Sequence, residues 1–320
     1  MKKSITVIGL GGVGGYFGFK LAQTYNIPPN ITITFVARNE TYNIIKDKGL
    51  TLLSAEHPNS TAYPNTLINN LNDLPLSGIL LICVKEYDLE AVCLKIKGKI
   101  SDDSIILPLM NGADIYERIR KIIPNGIVLQ ACVYVASHIK EKACVEHKGK
   151  SGKIILGKDP LHQIFSFDAI VPILQNAGID VEFKENSLPD IWTKFFFIAS
   201  FGLVTARYNK SIGQVYEEDN LKVEALAIMT EIKRIAVLKG IKLSDTIISD
   251  TFEKAATFPY HTPTSLQLDV NSKKNQSELE LFAGTIIKYG KELGIEVPAT
   301  IKIYEEIKQL DLVSDRKSVV

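Results

Sequence analysis

Ile5-Thr6-Val7-Ile8-Gly9-Leu10-Gly11-Gly12-Val13-Gly14 is the stretch on which the reading of this chain turns. Four β-branched or apolar residues predict a strand. They run directly into GxGxxG, and an apolar helical pattern follows over Val13 to Tyr25, the order that a phosphate-binding turn requires. Gly9 permits the tight turn, Gly11 lets backbone approach a pyrophosphate, and Gly14 lets helix and strand pack closely. Leu10, Gly12 and Val13 complete the loop, and the helix N-terminus presents amide groups to an anion. The next strand, Ile31 to Ala37, ends at Arg38, 24 residues past Gly14. A site built for NAD usually places Asp or Glu there to hold the ribose hydroxyls. A guanidinium instead grips a 2'-phosphate with paired hydrogen bonds, so the expected cofactor is NADPH, with nearby Glu40 as a group that would tolerate NAD.

Outward from this turn, apolar runs recur as short strands at Ile79 to Val84, Ser104 to Leu107, Ile127 to Ala136, Lys153 to Leu156 and Ile179 to Phe183. Helical patterns at Tyr87 to Lys97, Ala113 to Ile122 and Phe165 to Asn176 fall between them. Strand alternating with helix predicts parallel βαβ units. From residue 188 the strands give way to helical periods: Leu188 to Ala206, Glu217 to Lys239, Ser244 to Ala256, Gln276 to Leu293 and Pro298 to Ile307. The expected class is α/β, a Rossmann-type doubly wound parallel sheet over 1–183 followed by an all-α domain over 184–320. The apolar stripe of Glu217 to Lys239 fits burial within that domain or against a second copy in a homodimer.

Composition narrows the functions. Lys plus Arg number 37 against 36 Asp plus Glu, with no dense basic block, which argues against a nucleic-acid partner. No run reaches the roughly 18 apolar residues of a membrane span. After Met1-Lys2-Lys3 the apolar stretch is broken by glycines, as a phosphate loop is and a signal sequence is not. Cys83, Cys93, Cys132 and Cys144 lie in or beside apolar runs without CxxC spacing, and the five histidines are scattered. Buried thiols in a reducing cytoplasm and no metal site are expected.

Three further clusters carry a resemblance: Val84-Lys85-Glu86-Tyr87-Asp88 after one strand, Asn111-Gly112 after another, and Trp192-Thr193-Lys194 opening the first long helix. With the glycine turn, Arg38, Ser265-Leu266-Gln267-Leu268-Asp269 and Glu278, the chain resembles the 2-dehydropantoate 2-reductase, or ketopantoate reductase, family over nearly its whole length. That resemblance implies an NADPH-binding domain, a helical domain, and reduction of 2-oxopantoate to pantoate for pantothenate synthesis in the cleft between them. It implies Lys194 as general acid and substrate contact, Asn111 and Lys85 as contacts to both cofactor and substrate, Ser265 as the substrate carboxylate contact, and Glu278 on the nicotinamide-side ribose. An ammonium suits the acid role, because hydride delivery to a ketone builds negative charge on oxygen.

The pattern breaks at three positions. Where the family usually carries asparagines, this chain has Ile198, Gly202 and Ile212. Ser200 is a candidate to supply the lost polarity. Phe195-Phe196-Phe197 reads as helix-core packing, with pocket lining as the alternative. An apolar replacement leaves a substrate hydroxyl unpaired at a cost of about 1–3 kcal/mol, which raises a more apolar 2-oxo acid as an alternative substrate. A sensor that binds NADPH without turnover is the alternative from another class.

Overall fold

The computed structural model describes residues 3–26, 31–56, 60–76, 78–272 and 276–317. Contacts divide the chain into two compact units, Met1–Ser187 and Leu188–Val320.

The first unit begins with β1 (Lys3–Ile8), α1 (Gly12–Tyr25), β2 (Ile31–Val36), α2 (Asn39–Lys48), β3 (Leu50–Leu53), β4 (Ser60–Ala62) and β5 (Thr66–Ile68). It continues through β6 (Ile79–Ile82), α3 (Glu86–Ile96), β7 (Ile105–Pro108), α4 (Ile115–Arg120), β8 (Ile127–Val128) and β9 (Gln130–Tyr134). The unit is completed by β10 (Ser137–Glu141), β11 (Cys144–His147), β12 (Lys153–Gly157), α5 (Val171–Asn176) and β13 (Asp180–Lys184). Six strands form a parallel sheet in the order β5-β2-β1-β6-β7-β8. The order reverses between β1 and β6, and a doubly wound sheet binds its ligand outside the carboxyl ends at such a point.

Smaller sheets, β10-β11-β3-β4 and β13-β12-β9, complete the unit. The first of these covers α1, which explains why Tyr16, Phe17, Phe19 and Leu21 are all buried. A helix sandwiched between two sheets has no solvent stripe. The continuous apolar pattern of Ile127 to Ala136 predicts one strand, but the chain changes sheets at Leu129: β8 pairs with β7 and β9 turns to pair with β12. The helix expected over Phe165 to Asn176 is shortened to a 3₁₀ turn at Phe167–Ala169 and α5, because Pro172 in the first turn of α5 has no N–H to continue an earlier helix.

The second unit is helical: α6 (Leu188–Tyr208), α7 (Ile212–Glu217), α8 (Asp219–Leu238), α9 (Ile247–Ala256), α10 (Ser265–Asn271), a π-helical turn at Glu280–Gly284, α11 (Thr285–Leu293) and α12 (Pro298–Lys317). Helix α6 packs on α8, α10 and α12 around Trp192, Phe195, Phe196 and Phe201. Helix α8 turns Ala225, Ile228, Met229, Ile232 and Ile235 inward and leaves Val223, Leu226, Val237 and Leu238 exposed. Its main apolar stripe is therefore satisfied within the unit. Among the described residues no helix is long and apolar enough to cross a membrane, and no group of three His, Cys, Asp or Glu could hold a metal ion.

Candidate active site

A cavity of about 390 Å³ opens at the reversal point of the parallel sheet. It is built from strand ends: Gly9, Leu10 and Gly11 after β1, Ala37 and Arg38 after β2, Asn69 and Asn70 after β5, and Cys83 to Lys85 after β6. Gly9 has φ +90°, a left-handed conformation that glycine adopts without strain. A Cβ there would meet the Cys83 carbonyl oxygen at 2.8 Å.

The glycines of the turn divide into two kinds. A Cβ on Gly11 would meet nothing within 4 Å, so the space above it is open to a ligand. A Cβ on Gly14 would lie 1.9 Å from the Gly9 carbonyl oxygen, on Gly12 it would lie 2.4 Å from the Ser137 carbonyl oxygen, and on Gly15 it would lie 2.4 Å from a Val145 methyl. Gly14 serves the turn itself, whereas Gly12 and Gly15 make room for β10 and β11. Helix α1 has no side-chain cap and no acidic residue in its first turn, which leaves its positive end for an anion. An open cradle at Gly11 backed by that helix end fits a dinucleotide pyrophosphate.

Arg38 is the N-cap of α2, and its Nη2 donates to Asp88 Oδ2 of α3 at 2.7 Å. Asp88, Ala91, Val92 and Lys95 present one face of α3 to the cavity. The carboxylate facing Arg38 is thus Asp88, while Glu40 pairs with Lys142. Asp88 and Lys95 extend the cavity wall beyond the expected site residues, and the i, i+3/i+4, i+7 spacing of Asp88, Ala91, Val92 and Lys95 is the sequence signal for that shared face. Burial pushes the Cys83 thiol well above its ordinary range, so the neutral thiol lines the cavity without being a nucleophile.

Lys85 and Asn111 follow the carboxyl ends of two neighbouring strands. Ile82 of β6 pairs with Pro108 of β7, and each functional candidate lies three residues beyond its member of that pair. Both are half-buried. Gly112, φ +119°, turns the chain immediately after Asn111.

In the second unit, Lys194 lies half-buried on α6 with Ile198 one turn further along the same face. The other departures from the expected asparagines are Gly202 and Ile212. A Cβ on Gly202 would lie 3.7 Å from Leu266 Cβ, an ordinary contact with α10. Ile212 is buried in the core. Ser200 is fully buried and donates to the Phe196 carbonyl oxygen at 2.7 Å, so its hydroxyl is committed to its own helix. Phe197 stacks on Phe201 and Phe258, and Phe195 packs against Trp192 and Phe282, which assigns the phenylalanine run to the core.

Ser265 opens α10 but does not cap it. Thr264 is the cap, accepting from the Gln267 N–H, and Ser265 stays exposed at the first helical position. Glu278 is buried just before the π-helical turn, where its carbonyl oxygen accepts from the Leu281 N–H. An amide group that the sequence reading missed joins α6 to α10: Asn209 Oδ1 accepts from Gln267 Nε2 at 3.0 Å and Asn271 Nδ2 at 2.7 Å.

Residues 5–160 match the family model described as ketopantoate reductase PanE/ApbA, and residues 186–311 match its C-terminal counterpart. The chain is 23% identical to an uncharacterized oxidoreductase, YkpB, of Bacillus subtilis, over 95% of this chain and 98% of that protein. Its fold matches a PanE/ApbA family ketopantoate reductase from Ralstonia eutropha with TM-score 0.86 at 22% identity, covering 98% and 99% of the two chains. It also matches a ternary structure of D-mandelate dehydrogenase with NADH and anilino(oxo)acetate, with TM-score 0.82 at 17% identity, covering 98% and 99%.

Proposed function

Because this chain belongs to the ketopantoate reductase PanE/ApbA family, whose members are oxidoreductases acting on keto groups, we propose that it reduces a small 2-oxo acid with NADPH. Ketopantoate is the leading substrate and pantoate the product, a step of pantothenate synthesis in the cytoplasm. The observation that carries the reading is the open cradle at Gly11 with Arg38 and Lys85 on the cavity wall, and Asn111 beyond the end of the strand that adjoins β6.

NADPH, when bound, would supply the hydride for the oxo carbon, leaving the negative charge that develops on the carbonyl oxygen for the protein to meet. The ammonium of Lys194 stabilises that charge and donates the proton. Asn111 orients the carbonyl, and Lys85 sits close to both reactants. Ser265, exposed at a helix N-terminus, receives the substrate carboxylate. Glu278 holds the nicotinamide-side ribose. Gly9 to Gly14 hold the pyrophosphate, and Arg38 holds the 2'-phosphate.

A more apolar 2-oxo acid is favoured as a second reading by one residue. Ile212 is taken up by the core, but Ile198 is half-buried one turn from Lys194 and offers a substrate only a hydrocarbon surface. The test is NADPH oxidation by the purified protein with ketopantoate, pyruvate, 2-oxoisovalerate and 2-oxo-4-methylpentanoate, repeated with Lys194→Ala. Ketopantoate turnover that the variant abolishes supports the first reading. Turnover of the branched-chain acids alone supports the second. NADPH binding without turnover of any of them would overturn both and leave a cofactor sensor.

A further inference from the structure

Backbone pairing holds β6 and β7 together as far as the Leu109 N–H, which donates to the Ile82 carbonyl oxygen at 2.9 Å. Beyond it the two chains diverge, Val84 to Glu86 into α3 and Asn111 to Asp114 into α4, and Lys85 and Asn111 lie on these diverging segments. One side chain spans them. Arg118 on α4 donates through Nε to Asp114 Oδ1 at 2.9 Å and through Nη1 to Glu86 Oε1. Glu86 is the residue after Lys85, and Asp114 is three residues after Asn111.

The setting differs from that of a surface ion pair. Side-chain exposure is 1% for Asp114, 12% for Glu86 and 28% for Arg118. A partly desolvated guanidinium with directed bonds to two carboxylates is held in one geometry, and so are the backbones that carry the carboxylates. Asp114 is the N-cap of α4 yet makes no side-chain cap hydrogen bond, and Glu86 stands at the first position of α3.

We propose that Arg118 is a positioning residue: by tying Glu86 to Asp114 it fixes the separation of Lys85 and Asn111 and so the place of the reacting carbonyl. This rests on the reading of Lys85 and Asn111 as contacts to the reactants. Arg118 itself acts through the two segments. A displacement of about 1 Å in such groups lowers turnover by up to about 100-fold.

The test uses the full chain with Arg118→Met and Arg118→Lys, alone and combined with Asn111→Ala. For Arg118→Met we expect kcat to fall about 10- to 100-fold, while the NADPH Kd from nicotinamide fluorescence rises by a clearly smaller factor, because the pyrophosphate turn Gly9 to Gly14 and Arg38 lie on other elements. In the Asn111→Ala background the same change should cost less than about threefold, and Arg118→Lys should recover part of the loss. An unchanged kcat, an undiminished loss on Asn111→Ala, or a parallel loss of NADPH affinity overturns the proposal. Hydrogen exchange supplies the readout if the wild type turns over no 2-oxo acid, an outcome that removes the functional reading alone. Arg118→Met, or Arg118→Lys where Met does not fold, should then speed exchange in 84–87 and 111–114 together, and protection unchanged in either segment overturns the clamp.

Discussion

Asp88→Asn should tighten NADPH binding and leave NADH binding unchanged or weaker. The wild-type carboxylate holds Arg38 at 2.7 Å, with the Arg38 side chain 70% exposed and that of Asp88 32% exposed. An ion pair so open to water contributes about 0.2–1 kcal/mol, which a phosphate must displace before it can take the guanidinium. A 2'-phosphate on Arg38 would also stand about 5–6 Å from the Asp88 carboxylate, a repulsion of about 1 kcal/mol in a near-aqueous dielectric. Removing the charge while keeping the shape therefore returns about 1–2 kcal/mol, or a Kd for NADPH about 5- to 30-fold lower. NADH lacks the phosphate and can donate a ribose hydroxyl to the same carboxylate, so it gains nothing from the change. Fluorescence titration of both cofactors at low and high salt measures this, and the gain should shrink as salt screens the pocket. Weaker NADPH binding in Asp88→Asn, or equal shifts for both cofactors, would refute the reasoning.

Gly11→Ala should fold with unchanged stability and lose NADPH affinity, because its Cβ enters the open cradle, whereas Gly14→Ala should lose stability through contact with the Gly9 carbonyl oxygen. Paired melting and titration experiments separate the two. Glu231 of α8 is buried and accepts from Ala299 N at 2.7 Å, Thr300 N at 3.0 Å and Thr300 Oγ1 at 2.6 Å, which caps α12 from a distant helix. Glu231→Gln turns an amide nitrogen toward those donors and should destabilise the protein by about 2–4 kcal/mol in urea denaturation; a loss below 1 kcal/mol would show that the cap is dispensable. For Asp159, burial alone would raise the carboxyl, but the Leu161 and Val128 N–H groups, the Tyr116 hydroxyl and His162 hold it below its ordinary value. A depressed carboxyl contributes stability that is present above the unfolded pKa and lost as pH falls through the folded one. The stability gap between wild type and Asp159→Asn should therefore be full near neutrality and close as pH falls below about 4; a gap independent of pH would contradict this.

The strand, glycine turn and helix at residues 5–25 could be read without any partner, because a tight turn and a change from strand to helical period are written in neighbouring residues. The switch from βαβ units to helices near residue 188 was legible for the same reason. Short strands such as β4 and β11 were not, since three or four residues carry too little periodicity and take their conformation from the strands beside them. The candidate site divides along the same line. Gly11 and Arg38 stand at ends of elements that local pattern defines. The carboxylate that faces Arg38 lies 50 residues away, and the guanidinium that joins Glu86 to Asp114 reaches across 32 residues on one side and four on the other. What Gly12 and Gly15 are for depended on which side chains and backbones packing brings within 4 Å. Sequence alone determined the local conformations and their order, because each arises from steric and hydrogen-bonding preferences of adjacent residues. Only the tertiary structure decided which of those residues share a pocket, because strand register and helix docking set distances that have no counterpart along the chain.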